Sequence, residues 1–367
     1  MRGAGTTLPF EKSLTLLSRL LLDPIDACSD SLGLEMAVRD LCQSDFDRLL
    51  VLAQSHHVVV RGLEAMLKLL PEQASFPCRD WVDSALAVER ARIGTAVAFL
   101  DEICGSFEEE SVEIAVIKSL DHWPDLGSDL DLFTNGRPAH VIRIMVAHFG
   151  ATVAPRSWGD RLARKWNFLV PGLSEAIEIH VGRLGQTGEH VGFPGALLEN
   201  ARWLGIGGSR FLTASIVDRI LISTLQRMYR HFYFRLCDIV DTVAVADAGM
   251  IDYDELRASA AGAGIWEGVA SYLHIVSDYA QGYRGFGLDL PPFVQPSARV
   301  RGEDVYFGHG FLRVPILPQC ARLYRSQLSG TLRRREFESS ARLSLLPWLA
   351  TAALVGQRIT GSDKGIW

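Results

Sequence analysis

The chain has 367 residues, of which 48% are hydrophobic and 22% charged, with a formal net charge of −6. That length and apolar content suit a globular protein with a sizeable core, in one large or two to three smaller domains, and exclude a disordered chain. The negative balance gives no general attraction to nucleic acid, so a DNA or tRNA partner would depend on a local basic patch.

From the N-terminus, the apolar patch from Leu14 to Leu22 follows Glu11 and Lys12, is interrupted by Arg19, and leads to no clean small-residue cleavage site. It is expected to be a helix rather than a signal peptide. Leu49, Leu50, Ala53, Val58, Leu63, Met66, Leu67 and Leu70 recur at roughly helical spacing, and Pro71 is expected to stop that run. His56 and His57 are placed on the helix surface, not in a metal site. A second helical segment, from Trp81 to Leu100, leads to an acidic turn at Glu108, Glu109 and Glu110, which closes a helical N-terminal region over 1–110.

Beyond this turn the period changes to that of strands, with Val112 to Ile117 as the first and Asp129 to Phe133 as the next. Lys118 and Ser119 open the turn between them. There, backbone N–H groups and a hydroxyl can meet triphosphate oxygens and a lysine can offset their charge, or the turn is merely tight and its lysine solvated. Gly127 and Ser128 stand too close to the aspartates for that role and are taken as a turn. Side chains alternate along a strand, so Asp129 and Asp131 share one face while Leu130 and Leu132 enter the opposite layer. Like charges held side by side call for a hard divalent cation with oxygen ligands. The plain alternative is an Asp-x-Asp arising by chance at a solvated strand end.

Asn135-Gly136 closes this strand. Arg137-Pro138 begins a helix with the stripe Val141, Ile144, Met145 and Phe149, ended by Gly150. Arg156, Arg161, Arg164 and Lys165 come next; they are either guanidinium and ammonium contacts for a triphosphate or a solvated helix face. Trp166 to Val170, the turn Pro171-Gly172 and the run to Val181 read as a hairpin whose second strand carries Glu178 and His180 on one face and Ile177 and Ile179 on the other. A one-residue slip in register would put Glu175 in place of Glu178. If this strand lies beside that of Asp129, three carboxylates converge, which suits two metals about 4 Å apart clamping a phosphate. His180 is either a contact to phosphate or metal or a hydrogen-bonded spacer.

The catalytic core is therefore expected over 111–195, with a mainly helical C-terminal domain over 196–367. In that domain Ile216, Ile220, Leu221, Leu225, Met228 and Phe232 trace one apolar face, and Arg235 and Asp238 are expected to form an internal ion pair, with contact to nucleotide or acceptor as the alternative. Arg333-Arg334-Arg335 precede the apolar run from Leu343 to Val355, which is too short to cross a bilayer and contains Pro347; it is expected to be a packed terminal helix, with a membrane-surface element as the alternative. Cys28, Cys42, Cys78, Cys104, Cys237 and Cys320 show no paired or zinc-type spacing, so they are expected to be reduced thiols of a cytoplasmic protein.

Ile117-Lys118-Ser119, nine residues, Asp129-Leu130-Asp131-Leu132 and then Ile177-Glu178-Ile179 resemble the pattern of the nucleotidyltransferase-fold superfamily, which includes the aminoglycoside nucleotidyltransferases and DNA polymerase beta. The departure is Lys118, where most of that superfamily has glycine. Lys118 and Glu178-Ile179-His180 look like a branch of bacterial nucleotidyltransferases from biosynthetic clusters, although Ser119 replaces that branch's glycine. Asp45 to His57, Phe234 to Val240 and Ile251 to Leu256 are similar to its flanking helices, so the likeness covers about residues 40–280. The resemblance implies an α+β nucleotidyltransferase fold, a small mixed sheet flanked by helices. It implies transfer of a nucleoside monophosphate from NTP to a hydroxyl or phosphate on a small molecule, saccharide or peptide, with two magnesium ions, or manganese in their place. Asp129, Asp131 and Glu178 would be the catalytic and metal-binding acids, Glu178 ligating a metal or accepting the acceptor's proton. Lys118, Ser119, His180, Arg164 and Lys165 would hold the nucleotide. Phosphoryl transfer, tRNA or protein modification on the same fold, and an inactive nucleotide-binding or scaffold protein are the alternatives.

Overall fold

A computed structural model of the chain describes residues 10–22, 31–70, 77–349 and 351–352. Cys28, Pro71, Ala350 and residues 353–355, to which expectations were attached, lie outside the described residues. The fold is a mixed α+β one. Seven strands, β1 Ile114–Val116, β2 Asp129–Thr134, β3 Thr152–Val153, β4 Lys165–Leu169, β5 Ala176–Val181, β6 Arg202–Ile206 and β7 Ser209–Thr213, form one sheet in the order β3-β4-β5-β2-β1-β7-β6. Three short strands, β8 Tyr233–Phe234, β9 Tyr306–Gly308 and β10 Phe311–Arg313, form a second sheet in the order β8-β10-β9. Among the described residues no helix is long and apolar enough to cross a membrane.

Alternation along β2 and β5 builds the centre of the sheet. β2 pairs antiparallel with β1 and parallel with β5, and the register sets Asp131 opposite Glu178, Leu132 opposite Ile179 and Phe133 opposite His180. Leu130, Leu132, Ile177 and Ile179 are fully buried on one face, in a core that also holds Ile93, Ala96, Leu100, Ile103 and Phe107 of the helix Pro77–Glu109. Burying each such aliphatic side chain contributes about 1.5–3 kcal/mol, which is what locks the register. On the other face Ala115, Ile117 and Phe133 pack with Leu197 and Leu198 of the helix Gly192–Asn200 and Ile222 of the helix Ile216–Thr224. Asp129 and Asp131 occupy the uncovered end of that same face.

The helix Pro138–Phe149 forms as its sequence implies, with Pro138 in the first turn, Val141, Ile144 and Met145 buried, and Gly150 at φ 58° closing it. Other segments differ from expectation. The helix Pro77–Glu109 runs straight through Glu108 and Glu109, because glutamates are good helix formers, and the turn falls at Glu110 and Ser111. The sheet does not end before residue 195: β6 and β7 join it through Gly207-Gly208, at φ 59° and 95°, a two-residue turn that needs positive φ, and β7 lies parallel to β1. Arg202 to Gly205 are exposed, so β6 lacks the alternation that marks half-buried strands.

The C-terminal region is likewise not purely helical. The expected apolar helix over 216–232 continues past Thr224 with helical dihedrals but widens into a π-helical turn, Leu225–Arg230, before the helix Leu236–Asp247. Asp238 is ion-paired to Arg227, with Nε 2.7 Å away, rather than to Arg235, whose backbone N–H alone donates to Asp238 at 2.8 Å. His56 is not on a surface. It is fully buried, accepts from the Leu236 N–H at 2.9 Å and lies 2.8 Å from the Gly310 carbonyl; burial lowers its pKa to about 4, so it is neutral. The ring thereby ties the N-terminal helices to the helix Leu236–Asp247 and the small sheet. Arg61 does the same with charge, meeting Asp125 at 2.6 Å and Asp241 at 2.5 Å.

Arg227 and Asp238 are only 3% and 2% exposed. Removing one partner strands a buried charge, so Asp238→Ala is expected to lower stability by about 3–5 kcal/mol in urea unfolding, against about 0–1 kcal/mol for the surface pair Arg90→Ala.

Candidate functional site

The acids converge where β2 and β5 run side by side. Glu178 Oε1 lies 2.9 Å from His180 Nε2, which is 3.6 Å from Asp131 Oδ1. Glu178 Oε2 accepts from Lys165 Nζ at 2.9 Å, and Lys165 also meets Asp160 at 3.0 Å. Lys118 Nζ is in direct contact with Asp131 and 3.8 Å from Glu178. Burial works to raise the Glu178 carboxyl, but Lys118, His180 and Lys165 outweigh it and hold it well below the usual range. Asp129 is the opposite case. Burial, together with the charges of Asp131 and Glu178, pushes its carboxyl up, and no ion pair meets it among the described residues.

The turn that delivers Lys118 is a tight one. Lys118 has φ 64° and ψ −55°, and the Ser119 N–H donates to the Ile117 carbonyl at 2.7 Å, a γ-turn of the positive-φ kind that a side chain adopts only under strain. Ser119 then spans to β2: its hydroxyl accepts from the Asp131 N–H at 2.7 Å and donates to the Asp129 carbonyl at 3.2 Å. Both hydrogen-bonding directions of this hydroxyl are therefore used within the fold. Ser119 fixes the aspartate strand to the turn instead of offering its hydroxyl to phosphate.

These acids form the floor of a cleft of about 180 Å³. The opposite wall comes from the π-helical turn and the residues just after it: Gln226, Arg227, Arg230, His231 and Arg235, with His57 and His122 alongside. Arg227 is held by Asp238, but Arg230 and Arg235 have no carboxylate partner among the described residues, and Arg235 Nε is buried without a hydrogen-bond partner. Burial and the charges of Arg230 and Arg227 keep His231 well below its ordinary value, so it is neutral. A second recess of about 40 Å³ shares Lys118, Gln226 and Arg230 with the cleft and is lined further by His180, Leu184, Ile222, Leu225 and Tyr229.

Asp129, Asp131, Glu178, Lys118, Ser119, His180 and Lys165 are thus brought together. Glu175 is separated from them, bound by Arg92, which also holds the Gly127 loop through the Leu126 and Gly127 carbonyls at 3.0 and 3.3 Å. Arg164 is not in the cleft lining; its charged neighbours are Arg183 and Glu338, on the side of the C-terminal helices. Arg156 donates to the Lys165 and Asp160 carbonyls and covers the Trp166 ring, and Arg161 lies against Trp158. Sequence reasoning missed Arg230, Gln226, His57 and His122 and took Arg235 for an internal partner. The available signal was the clustering of Gln226, Arg227, Arg230 and His231 at the end of a segment whose apolar residues recur at helical spacing.

Asp131, Glu178 and His180 each offer a ligand atom, all within 4.8 Å of one another. Carboxylate oxygens suit a hard divalent cation, and Asp129, desolvated among like charges, is an acid in want of one. The set fits magnesium on one condition: the Lys118 ammonium, which now touches Asp131, must swing aside. No protein-family model matches this sequence, no curated protein matches it, and no solved structure matches it.

A raised carboxyl pKa destabilises the fold above that pKa and ceases to do so below the unfolded value of about 4. Asp129→Asn is therefore expected to raise the thermal midpoint at neutral pH, with the gain vanishing as pH falls through the carboxylate range. Melting curves across pH check this. A loss of stability at neutral pH would show that Asp129 is not held against its neighbours' charge.

Proposed function

We propose that the chain is a metal-dependent nucleotidyltransferase of the nucleotidyltransferase fold, moving a nucleoside monophosphate from NTP to a hydroxyl or phosphate on a small molecule, saccharide or peptide in the cytoplasm. One observation carries the reading. Three strand-borne acids, Asp129, Asp131 and Glu178, face Arg230 and Arg235 across a cleft, and neither arginine has an anionic partner among the described residues. A polyphosphate with bound divalent cations satisfies both walls at once: its oxygens meet the arginine forks and its cations meet the carboxylates.

Magnesium bound on Asp129, Asp131 and Glu178, or manganese in its place, would neutralise charge on the phosphoryl oxygens. The chain's own residues do the rest. Arg230 and Arg235 grip the polyphosphate tail, and Lys118, released from Asp131, moves onto a phosphate. Ser119 keeps β2 and the turn in fixed relation, and Lys165 with His180 holds Glu178 in place. Glu178, whose carboxyl Lys118, His180 and Lys165 keep ionised, would ligate a metal or accept the proton of the attacking hydroxyl. The acceptor oxygen bonds to the α-phosphorus as the bond to the β-phosphate oxygen breaks and pyrophosphate leaves. Catalysis then consists of positioning and electrostatics.

A second reading, a nucleotide-binding or scaffold protein without turnover, draws on Lys118: its ammonium occupies the carboxylate contact that a metal needs. NTP labelled separately at the α and γ positions, supplied with a panel of acceptors, tests the proposal. The α label is expected to move to acceptor, chelation to stop it, and Asp131→Asn to slow it at least about a hundredfold with the circular dichroism spectrum unchanged. Movement of the γ label would mean a phosphotransferase. Magnesium-dependent nucleotide binding with no transfer of either label would favour the second reading.

A further inference from the structure

His57, His122 and Cys237 come from three distant parts of the chain and meet beside the cleft, which the two histidines line while Cys237 is buried behind them, each offering a ligand atom within 4.8 Å of the others. His57 lies between the helices Gln43–Ser55 and Val59–Leu69, His122 ends the 3-10 turn Ser119–His122, and Cys237 sits in the first turn of the helix Leu236–Asp247. His122 Nε2 and Cys237 Sγ are 3.7 Å apart. In a tetrahedral site with metal–nitrogen bonds of about 2.0–2.1 Å and a metal–sulfur bond of about 2.3 Å, ligand atoms stand roughly 3.5 Å apart. The pair is already near that spacing, and His57, within 4.8 Å of both, needs to close by no more than about 1.3 Å.

The surroundings of His122 fit the same use. Its Nδ1 is bound to Asp241 at 2.5 Å, so Nε2 is the nitrogen turned toward Cys237, and Asp241 is in turn fixed by Arg61. A carboxylate on the far nitrogen is what orients an imidazole that ligates a metal. Cys237 lies in the first turn of a helix, and burial pushes its thiol up, so a metal bound there would displace the thiol proton to gain a thiolate ligand. Arg235 is the opposing cation, its Nη1 3.4 Å from His57 Nδ1, and a thiolate ligand offsets it. Two imidazoles and a sulfur form a softer donor set than the oxygen-rich cluster of Asp129, Asp131 and Glu178, so the two sites sort metals by chemistry.

We propose that His57, His122 and Cys237 bind one borderline transition-metal ion of the zinc type, with a fourth position open to the cleft that His57 and His122 line. The ion would join the N-terminal helices, the turn before the aspartate strand and the C-terminal helices at one point. This site does not rest on the nucleotidyl-transfer reading, since none of its ligands is among the three acids.

Cobalt(II) alone, titrated into the reduced, metal-stripped full chain, tests it. One equivalent is expected to give the near-ultraviolet charge-transfer band of a thiolate-bound cobalt together with the intense visible bands of a tetrahedral ion. Cys237→Ser should lose the charge-transfer band, His57→Asn should weaken binding at least about tenfold, and Cys42→Ser and Asp131→Asn should leave the spectrum unchanged. Asparagine is chosen at residue 57 because that position has φ 53°, which asparagine tolerates. Absence of the band in the wild-type chain, or its persistence in Cys237→Ser, would overturn the proposal and leave the Cys237–His122 contact as a hydrogen bond only. If Cys237→Ser does not fold, the His57→Asn titration decides alone: unchanged affinity there also overturns it.

Discussion

The arrangement depends on one electrostatic constraint: a parallel strand pair whose register sets Asp131 directly opposite Glu178, with Asp129 one step along the same face. Like charges facing each other across a sheet repel, and partial burial deepens the cost. The surrounding structure is organised around relieving it. Lys118 from the turn, Lys165 from β4 and His180 from β5 itself come to Asp131 and Glu178, while Asp129 has no ion pair among the described residues and its carboxyl stays pushed up despite the charge of Lys118 and the Ser128 hydroxyl. The apolar residues behind, Leu130, Leu132, Ile177 and Ile179, hold the strands in register against the repulsion.

The same constraint shapes the turn at Lys118. A lysine in a positive-φ γ-turn is locally unfavourable, and its ammonium answers part of the acid charge. Strain at that position and repulsion at Asp129 are the features expected where a site is built for a ligand, since a chain optimised for stability alone would place glycine at the first and an amide at the second. The cleft's far wall has the complementary imbalance, with Arg230 and Arg235 brought in by a π-helical turn, a geometry often found at functional sites.

How much of this is legible in the sequence depends on which contacts are local. Period-two alternation in Asp129 to Phe133 and in Ala176 to Val181, and helical period in the run from Pro138 to Gly150, are visible within a few residues, and those elements form as their patterns imply. The choice between Glu178 and Glu175 needed the register, and with it Arg92, which comes from a distant helix. β6 was hidden because its exposed residues carry no alternation; only Gly207-Gly208 marked the hairpin. His57, Arg230 and Arg235 could not be placed, because the wall they form arises from packing of the N-terminal and C-terminal helices around the sheet. An arginine beside an aspartate three residues on reads as a pair by spacing alone, yet Arg227 of the π-helical turn takes Asp238, and Arg235 lines the cleft.

The central claim is that the carboxylates of residues 129, 131 and 178 hold divalent metal once Lys118 withdraws. Anomalous diffraction from crystals soaked with manganese and a non-hydrolysable NTP analogue addresses it directly. The expected result is manganese bounded by these three carboxylates, the Lys118 ammonium moved off Asp131 and the phosphates against Arg230 and Arg235. Lys118 still seated on Asp131, with no manganese between the acids at saturating metal and nucleotide, would contradict it.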